Sequence, residues 1–299
     1  MSRTVVTYPI NGCLKGAGQM LGAIKEWVHC NPIQARYLAD YFAAGGGEVA
    51  KIPEMKTKAS RAAAEINAFL KENGFTLEIE QLAPDQFAVA SLIKVLVEWL
   101  VEGKKTTVEH GGQQFPAVNL TDKAAQVEIL AAPKYGGIKE IVKLPTKSGD
   151  TVYLTALNES WMTDIDLADL ARGYTRNIQS GMARPFGRYE GVIFPMVDLD
   201  LTYDLDWLVG LTALPANGDD PAMIEKAIQQ SRLKMNHKGA LAESAAVVTM
   251  RCLSLPPPPL VINEPFLCWF ERPGLSQPLF VAHVTPEDWK DPGEIEGLE

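Results

Sequence analysis

The last sixty-odd residues constrain the fold of this chain most. They begin with NHKGALA (236–242) and continue through a stretch rich in small residues, AESAAVVTMRCLS (242–254). Four consecutive prolines (256–259) separate this stretch from two apolar segments, NEPFLCWFE (263–271) and PLFVAHVTPEDW (278–289). Apart from the proline run, which favours an extended conformation, the pattern predicts strands from Leu233 to the end.

Length and composition favour one large domain or two modest ones, because 299 residues at 46% hydrophobic content supply an ample core. The net charge of −9 with no basic block makes nucleic acid and anionic membranes poor partners. Charges interrupt every apolar run before it reaches the length of a membrane span. Because residues 1–18 lack a signal-peptide pattern, we expect a cytoplasmic protein, or a secreted one if a leader has been removed.

The first third of the chain has mainly helical patterns. Apolar spacing predicts a helix over 14–28, although three glycines weaken it. Pro32 suits the first turn of a second helix to about Ala44, where three glycines would stop it. A third helix has an apolar stripe of Ala62, Ile66, Phe69 and Leu70, and it ends at Asn73-Gly74.

Residues 91–101 fit two structures. As a helix, they place Lys94, Glu98 and Glu102 on one solvated stripe. As a strand, they place the apolar residues at odd-numbered positions on a common face, namely Ile93, Val95, Val97, Trp99 and Val101. The β-branched content favours the strand.

The middle of the chain is rich in short strands. We predict strands over 126–130, 138–143 and 151–156, a helix over 166–178, alternating strand over 191–205, and a short helix over 222–231. Residues after Lys290 read as a polar tail, 290–299. No internal repeat or linker is present, so residues 1–299 form one domain of mixed α and β content.

The order of these motifs resembles the C-terminal end of serpins, the serine-protease-inhibitor fold. In that family, a strand ending in His-Lys-Ala leads into a small-residue hinge and an exposed bait loop. Two buried strands around Pro-Phe-Leu and Phe-x-x-x-Val motifs then complete the domain. The resemblance implies an α+β fold, with helices packed around a large mixed β-sheet and smaller sheets. It also places His237 and His283 in strands, with structural roles.

Further segments fit serpins in the right order. Residues 64–75, AEINAFLKENGF, resemble a family helix, and residues 91–101 resemble a central strand of the large sheet. Residues 191–211 resemble the strand that carries Leu-Pro-x-Phe and Tyr-Asp-Leu. The resemblance extends from about Ala64 to Trp289 and is weak over the helical part, about 1–75.

The hinge departs from the family pattern. Serpins usually follow His-Lys with an acidic Glu-Glu-Gly stretch and an alanine-rich run, whereas here the hinge reads Glu243, Ser244, Ala245, Ala246. Counting back from Pro265 by the family's spacing places the scissile bond at Arg251-Cys252. Counting forward from His237 by the same spacing would place it roughly ten residues later, so the segment between His237 and Arg251 is short by about that number. Because a strand advances about 3.3 Å per residue, the strand that this segment could add to the sheet would be about 33 Å shorter than in a usual serpin. The resemblance implies insertion of the cleaved loop into the large sheet, and this shortening argues against it.

The bait loop Met250, Arg251, Cys252 has two interpretations. In one, the prolines hold a short rigid loop, and Arg251 suits a protease with an acidic specificity pocket. In the other, the prolines merely connect two strands and the arginine is incidental. Cys252 fits an ordinary thiol better than a reactive one, because no neighbouring base is evident.

Other candidate sites are weak. Gly16, Gly18 and Gly22 lack the spacing of a dinucleotide-binding loop and fit close helix packing better. Alternation puts Asp198 and Asp200 on a solvated strand face rather than in a metal or acid–base pair. The spacing of the histidines and cysteines fits no metal site; they are His29, His110, His237, His283, Cys13, Cys30, Cys252 and Cys268. No nucleophile with a plausible base is present, so an enzyme, a metal and a cofactor are not expected.

The sequence therefore predicts a serpin-like protein with a shortened hinge and bait loop. We expect it to be non-inhibitory, or a weak loop-presenting binder of a serine protease or another protein. One alternative is an inhibitor of trypsin-like serine proteases with Arg251-Cys252 as the scissile bond. Another is a structural or assembly protein that reuses the fold. The sequence does not define the oligomeric state.

Overall fold

The computed structural model describes residues 1–134, 137–158, 163–238 and 257–295. Its α-helices are α1 (Thr7–Gly16), α2 (Gly18–Leu21), α3 (Pro32–Tyr37), α4 (Ala43–Glu48), α5 (Ala63–Glu72) and α6 (Asp164–Gln179). A π-helical stretch, Leu38–Phe42, joins α3 to α4. Short 3-10 turns lie at Val49–Lys51, Lys123–Ala125, Asp206–Leu208 and Pro286–Asp288.

The strands form five sheets. In chain order they are β1 (Arg3–Val5), β2 (Ile24–Val28), β3 (Lys56–Ser60), β4 (Ala88–Leu92), β5 (Lys104–His110), β6 (Gln113–Leu120), β7 (Glu128–Lys134), β8 (Gly137–Pro145), β9 (Thr151–Ala156), β10 (Arg184–Pro185), β11 (Val192–Pro195), β12 (Val197–Asp204), β13 (Thr212–Pro215), β14 (Ala222–Met223), β15 (Ile228–Met235), β16 (Leu260–Val261), β17 (Phe266–Glu271) and β18 (Phe280–Val284). The predicted α+β class is confirmed.

The largest sheet has seven strands in the order β1-β18-β17-β9-β8-β7-β10. Both faces of this sheet are buried at β17, so residues 266–270 of that strand are all apolar. Leu267 and Trp269 pack with α6 and the helical stretch 32–42, whereas Phe266 and Phe270 belong to the opposite core cluster. That second cluster lies under the four-stranded sheet β16-β11-β6-β5 and the pair β12-β15. The fold therefore has helices on one face of the large sheet and further sheets on the other.

Several predictions from local pattern are confirmed. Helix α5 buries Ile66 and Leu70 and ends next to Asn73, as expected. The odd-numbered residues of 93–101 all belong to one core cluster, which confirms the predicted alternation. The hydrogen-bonded strand itself, β4, ends earlier, at Leu92. Asp200 is on the exposed face of β12 and pairs with Arg232 at 2.7 Å, as the alternation of that strand indicates.

Other predictions are wrong where distant partners override the local pattern. Residues 24–28 form β2 rather than the end of a helix, because they pair with β13. The second helical region continues through Gly45-Gly46-Gly47 instead of stopping there. The short helix over 222–231 is replaced by β14 and the start of β15, whose inward and outward residues alternate along its pairing with β12. His283 lies in β18, but His237 lies two residues beyond the end of β15.

Within the described ranges, no helix is long and apolar enough to cross a bilayer. The same residues contain no cluster of three or more His, Cys, Asp or Glu side chains placed to hold a metal ion. Cys13, Cys30 and Cys268 are free thiols, as predicted for scattered cysteines, and Cys252 lies outside the described residues.

Glu271, at the end of β17, is a largely buried acid that makes stability depend on pH. Burial raises the pKa of Glu271 from 4.5 to about 7, although Thr175 donates a 2.7 Å hydrogen bond to its carboxylate and Arg172 lies nearby on α6. The folded state therefore holds a proton that the unfolded chain releases between pH 4.5 and 7. Stability falls as the pH rises through this window, and the full penalty is present above it.

We expect Glu271→Gln to remove this dependence. At about 1.4 kcal/mol per pKa unit, the variant gains up to about 3 kcal/mol over the parent above pH 7, and the difference disappears at acidic pH. Urea unfolding at a series of pH values measures it. Glu128→Gln, a change at a more exposed carboxylate, serves as the control. A constant difference between parent and variant across the pH range would contradict this assignment.

Candidate functional site

A gap separates two strand pairs. Strand β4 is hydrogen-bonded to β3, and β15 is hydrogen-bonded to β12; among the described residues neither β4 nor β15 has a second neighbour. Residues 93–98 continue β4 without strand pairing and lead to Trp99. Trp99 lies beside the end of β15, and Gln86, just before β4, donates to Glu225, just before β15, at 2.6 Å, so the two strands run in the same direction. A segment that left β15 and turned back would be antiparallel to both walls of the gap.

Helix α1 and Val6, the residue that precedes it, lie behind the gap and between them contact both of its walls. The side-chain amide of Gln229 on β15 bonds to the backbone N–H and C=O of Val6, at 3.2 and 2.9 Å. On the other wall, Gly12 and Gly16 lie against β4. A Cβ on Gly12 would come within 2.1 Å of Ser91 Oγ, and one on Gly16 within 2.7 Å of Val89 Cγ1. Close helix packing is thus confirmed as the role of Gly16.

A strap crosses the front of the gap. Helix α5 buries Ile66 and Leu70 with Ala90 of β4. The chain then continues into residues 74–77, which we call the strap. Gln230 Oε1 on β15 accepts from the backbone N–H groups of residues 76 and 77, both at 3.0 Å. Arg232, also on β15, donates to the carbonyl of Gly74. The strap therefore connects the β3-β4 pair to the β12-β15 pair.

The two walls meet at one end, which we call the entrance. Trp99 Nε1 donates to the carbonyl of Asn236 at 3.0 Å, and the Gly103 N–H donates to the carbonyl of His237 at 2.8 Å. Glu102 lies 3.4 Å from His237 Nε2. Burial, followed by the charge of Lys105, lowers the pKa of His237. The entrance stands at the point where the chain leaves β15.

The entrance is also where residues 239–256 begin. Lys238 donates its N–H to Asn236 Oδ1 at 2.9 Å and pairs with Glu294 at 3.2 Å. Asn236 donates to the Gly293 carbonyl, so part of the predicted polar tail is in contact with this region. At the far end, Pro258 accepts from the Glu190 N–H, and β16 pairs with β11 in parallel. Both flanks of residues 239–256 are therefore fixed to the core.

The predicted hinge and bait residues lie outside the described residues. These are Glu243, Ser244, Ala245, Ala246, Met250, Arg251 and Cys252. Sequence reasoning missed the side chains that close the gap, namely Trp99, Gln230 and Arg232. Trp99 was predicted only as an apolar face residue. The outward alternation of Gln230 and Arg232 was obscured by the mistaken helix over 222–231.

Comparison with solved structures identifies this architecture. The chain resembles SRPN18 from Anopheles gambiae with a TM-score of 0.60 at 11% identity, covering 98% of this chain and 94% of that one. It resembles human thyroxine-binding globulin with a TM-score of 0.57 at 13% identity, covering 95% and 91%. A serpin from Schistosoma mansoni matches with a TM-score of 0.51 at 17% identity, covering 74% of this chain and 63% of that serpin.

This chain is a divergent serpin-fold protein. Among curated proteins, it is 32% identical to alpha-1-antiproteinase of Ovis aries over 30% of its own length. The match spans about a quarter, 24%, of that relative. No family model matches the chain. The fold is therefore shown by structure more than by sequence.

Proposed function

We propose that this protein binds a partner through residues 239–256 without inserting them fully into the gap between β4 and β15. The first candidate partner is a trypsin-like serine protease, with Arg251 as the bait residue. Two observations support a protease as the partner: the position of Arg251 in the resemblance to serpins, and the similarity to the sheep protein, an antiproteinase. The protein would act as a substrate or reversible ligand rather than as a covalent trap.

The closed entrance is the observation that carries this proposal. A segment turning back from Lys238 would first have to separate Trp99 from Asn236 and Gly103 from His237. Each of these bonds is worth about 1 kcal/mol net, and a carbonyl left buried without a donor costs more. The strap adds the bonds of Gln230 and Arg232 on the front of the gap. Full insertion would therefore have to break a connected set of contacts.

The length of the gap favours a second candidate, a loop-inserting protease inhibitor. Ser91 to Trp99 is eight steps of extended chain, or about 26 Å. Residues 239–251 reach about 43 Å when extended, so they could run along this gap even with a turn at the start. The shortening inferred from family spacing does not by itself exclude insertion. The two candidates differ in whether the entrance opens after cleavage.

Incubation with trypsin distinguishes the candidates. The proposal predicts cleavage within 239–256 with no covalent high-mass band on a denaturing gel. The thermal midpoint of the cleaved protein should then stay within about 2 °C of the intact one, since no strand is added. A covalent band, or a rise of many degrees after cleavage, would instead support the inhibitor.

Arginine variants test the bait position in the same assay. Arg251→Ala should abolish cleavage in this segment, whereas Arg61→Ala, at an exposed position before α5, should leave it unchanged. If trypsin instead cuts the parent at the Lys238–Gly239 bond, and Arg251→Ala leaves that cleavage unchanged, the arginine is incidental. Binding to active-site-blocked trypsin, measured by calorimetry, then reports recognition separately from cleavage.

A further inference from the structure

A second concave surface lies away from the residues used above. A groove of about 620 Å³ is bounded by the end of α1, by β2 and by the π-helical stretch Leu38–Phe42. We call it the α1–β2 groove. Its apolar lining includes Leu14, Ile24, Trp27, Leu38 and Phe42. Its volume is within the range of small-molecule sites, about 300–1,000 Å³.

Two lysines give the groove a charged rim. Lys15 and Lys25 both line it, and neither has a hydrogen-bond or ion-pair partner among the described residues. Glu26 also lines the groove. The pairing of β2 with β13 shifts register between Glu26 and Ile24, so Lys25 lies at an irregularity of the strand and simple alternation does not apply to it. Trp27 packs on the core cluster that holds Tyr37. The groove thus combines an apolar floor with a rim of two lysines and one glutamate, whose net charge is positive.

Gly18 leaves part of the groove open. A Cβ built on Gly18 has no heavy atom within 4 Å, in contrast to the tightly packed Gly16. The close-packing role expected for this set of glycines therefore does not hold at Gly18. A larger side chain at Gly18 would extend into free space beside the groove wall rather than into the core.

We propose that the α1–β2 groove binds an amphipathic anion, an aliphatic monocarboxylate of fatty-acid type. The hydrocarbon chain lies against Trp27, Leu38 and Phe42, because these partly buried side chains offer apolar surface that water would otherwise cover. The carboxylate pairs with Lys15 or Lys25. This site is independent of residues 239–256 and of the partner proposed for them.

Calorimetric titration with laurate, below its micellar concentration, tests the proposal on the intact protein. We expect saturable binding of one laurate, and weaker binding of dodecanol, which has the same chain but no charge. Gly18→Leu should reduce laurate affinity at least about tenfold by occupying the space, the equivalent of about 1.4 kcal/mol. Gly47→Leu is the matched control, because its Cβ also meets nothing within 4 Å and Gly47 does not line the groove.

The charges are tested separately. Lys15→Gln combined with Lys25→Gln should weaken laurate roughly threefold to tenfold and leave dodecanol unchanged, as expected for exposed ion pairs. Lys71→Gln combined with Lys290→Gln, two exposed positions elsewhere, is the control. Equal affinity for laurate and dodecanol, or no effect of Gly18→Leu, would overturn the proposal. So would a dimer in native mass spectrometry that Gly18→Leu abolishes without any laurate binding, because a second copy would then be the occupant.

Discussion

Replacing Arg272 with alanine is expected to lower the free energy of unfolding by about 3–5 kcal/mol. Its guanidinium makes paired bonds to two carboxylates: Nε and Nη2 donate to Asp150 at 2.8 and 2.9 Å, and Nη1 and Nη2 donate to Glu54, both at 2.8 Å. The Asp150 side chain is only 2% exposed, so the variant leaves a buried charge without its partner. Arg272 also joins three separate segments: the end of β17, the β8–β9 turn and the loop after the 3-10 turn Val49–Lys51.

Urea unfolding measures this loss, and two further variants establish its cause. Lys143→Ala breaks the ion pair with Glu128, in which the nitrogen and oxygen are 3.0 Å apart and the Glu128 side chain is about half exposed. It should lower the free energy of unfolding by no more than about 1 kcal/mol. Adding Asp150→Asn to Arg272→Ala should recover part of the lost stability, because the uncompensated charge is removed. If the double variant were as unstable as Arg272→Ala, lost packing rather than charge would be the cause.

Trp99→Ala, in the parent protein, is expected to lower the free energy of unfolding by about 3–5 kcal/mol. Trp99 is 3% exposed, its indole N–H holds the carbonyl of Asn236, and its ring meets Phe194 edge-on with centroids 5.9 Å apart. Trp99→Phe keeps an aromatic ring but leaves the Asn236 carbonyl without its donor, at a cost of about 1–3 kcal/mol for the lost bond. Urea unfolding gives both values.

Trp289→Phe is the matched control, since Trp289 is 2% exposed and its Nε1 has no hydrogen-bond partner among the described atoms. Trp99→Phe should therefore be more destabilising than Trp289→Phe. The entrance adds a functional readout. If the Trp99 bond keeps the gap closed, trypsin-cleaved Trp99→Phe should melt higher than the uncleaved variant, whereas the parent should not change. Identical behaviour of parent and variant would show that this bond does not control the gap.

Local pattern was enough to predict elements whose residues alternate or recur along a short stretch. Helix α5 and the inward face of 93–101 are of this kind, because their core contacts follow directly from periodicity. The resemblance to serpins, carried by motif order near the C-terminus, predicted the α+β fold, which comparison with solved structures confirms at low identity.

Local pattern failed where a distant partner decides the structure. Strand β2 exists because Trp27 is paired with Ala213, far along the sequence. The helix through the glycines persists because Gly45 packs against Gln277 and Asn11, where a Cβ would come within 2.0 Å. The entrance was not predictable for the same reason, since it joins Trp99 and Gly103 to Asn236 and His237. The bait and hinge residues stay a prediction.

The position of β17 and β18 in the large sheet has a consequence for biosynthesis. Phe266–Glu271 pairs with Thr151–Ala156, and Arg3–Val5 pairs with Val281–His283, so segments far apart in the sequence meet in one sheet. A ribosome adds about 5–20 residues per second, so roughly 6–25 seconds pass between the synthesis of β9 and the synthesis of β18. During that time the emerging chain carries unpaired apolar edges. Its folding in the cell should therefore depend on translation speed and on chaperones that shield those edges.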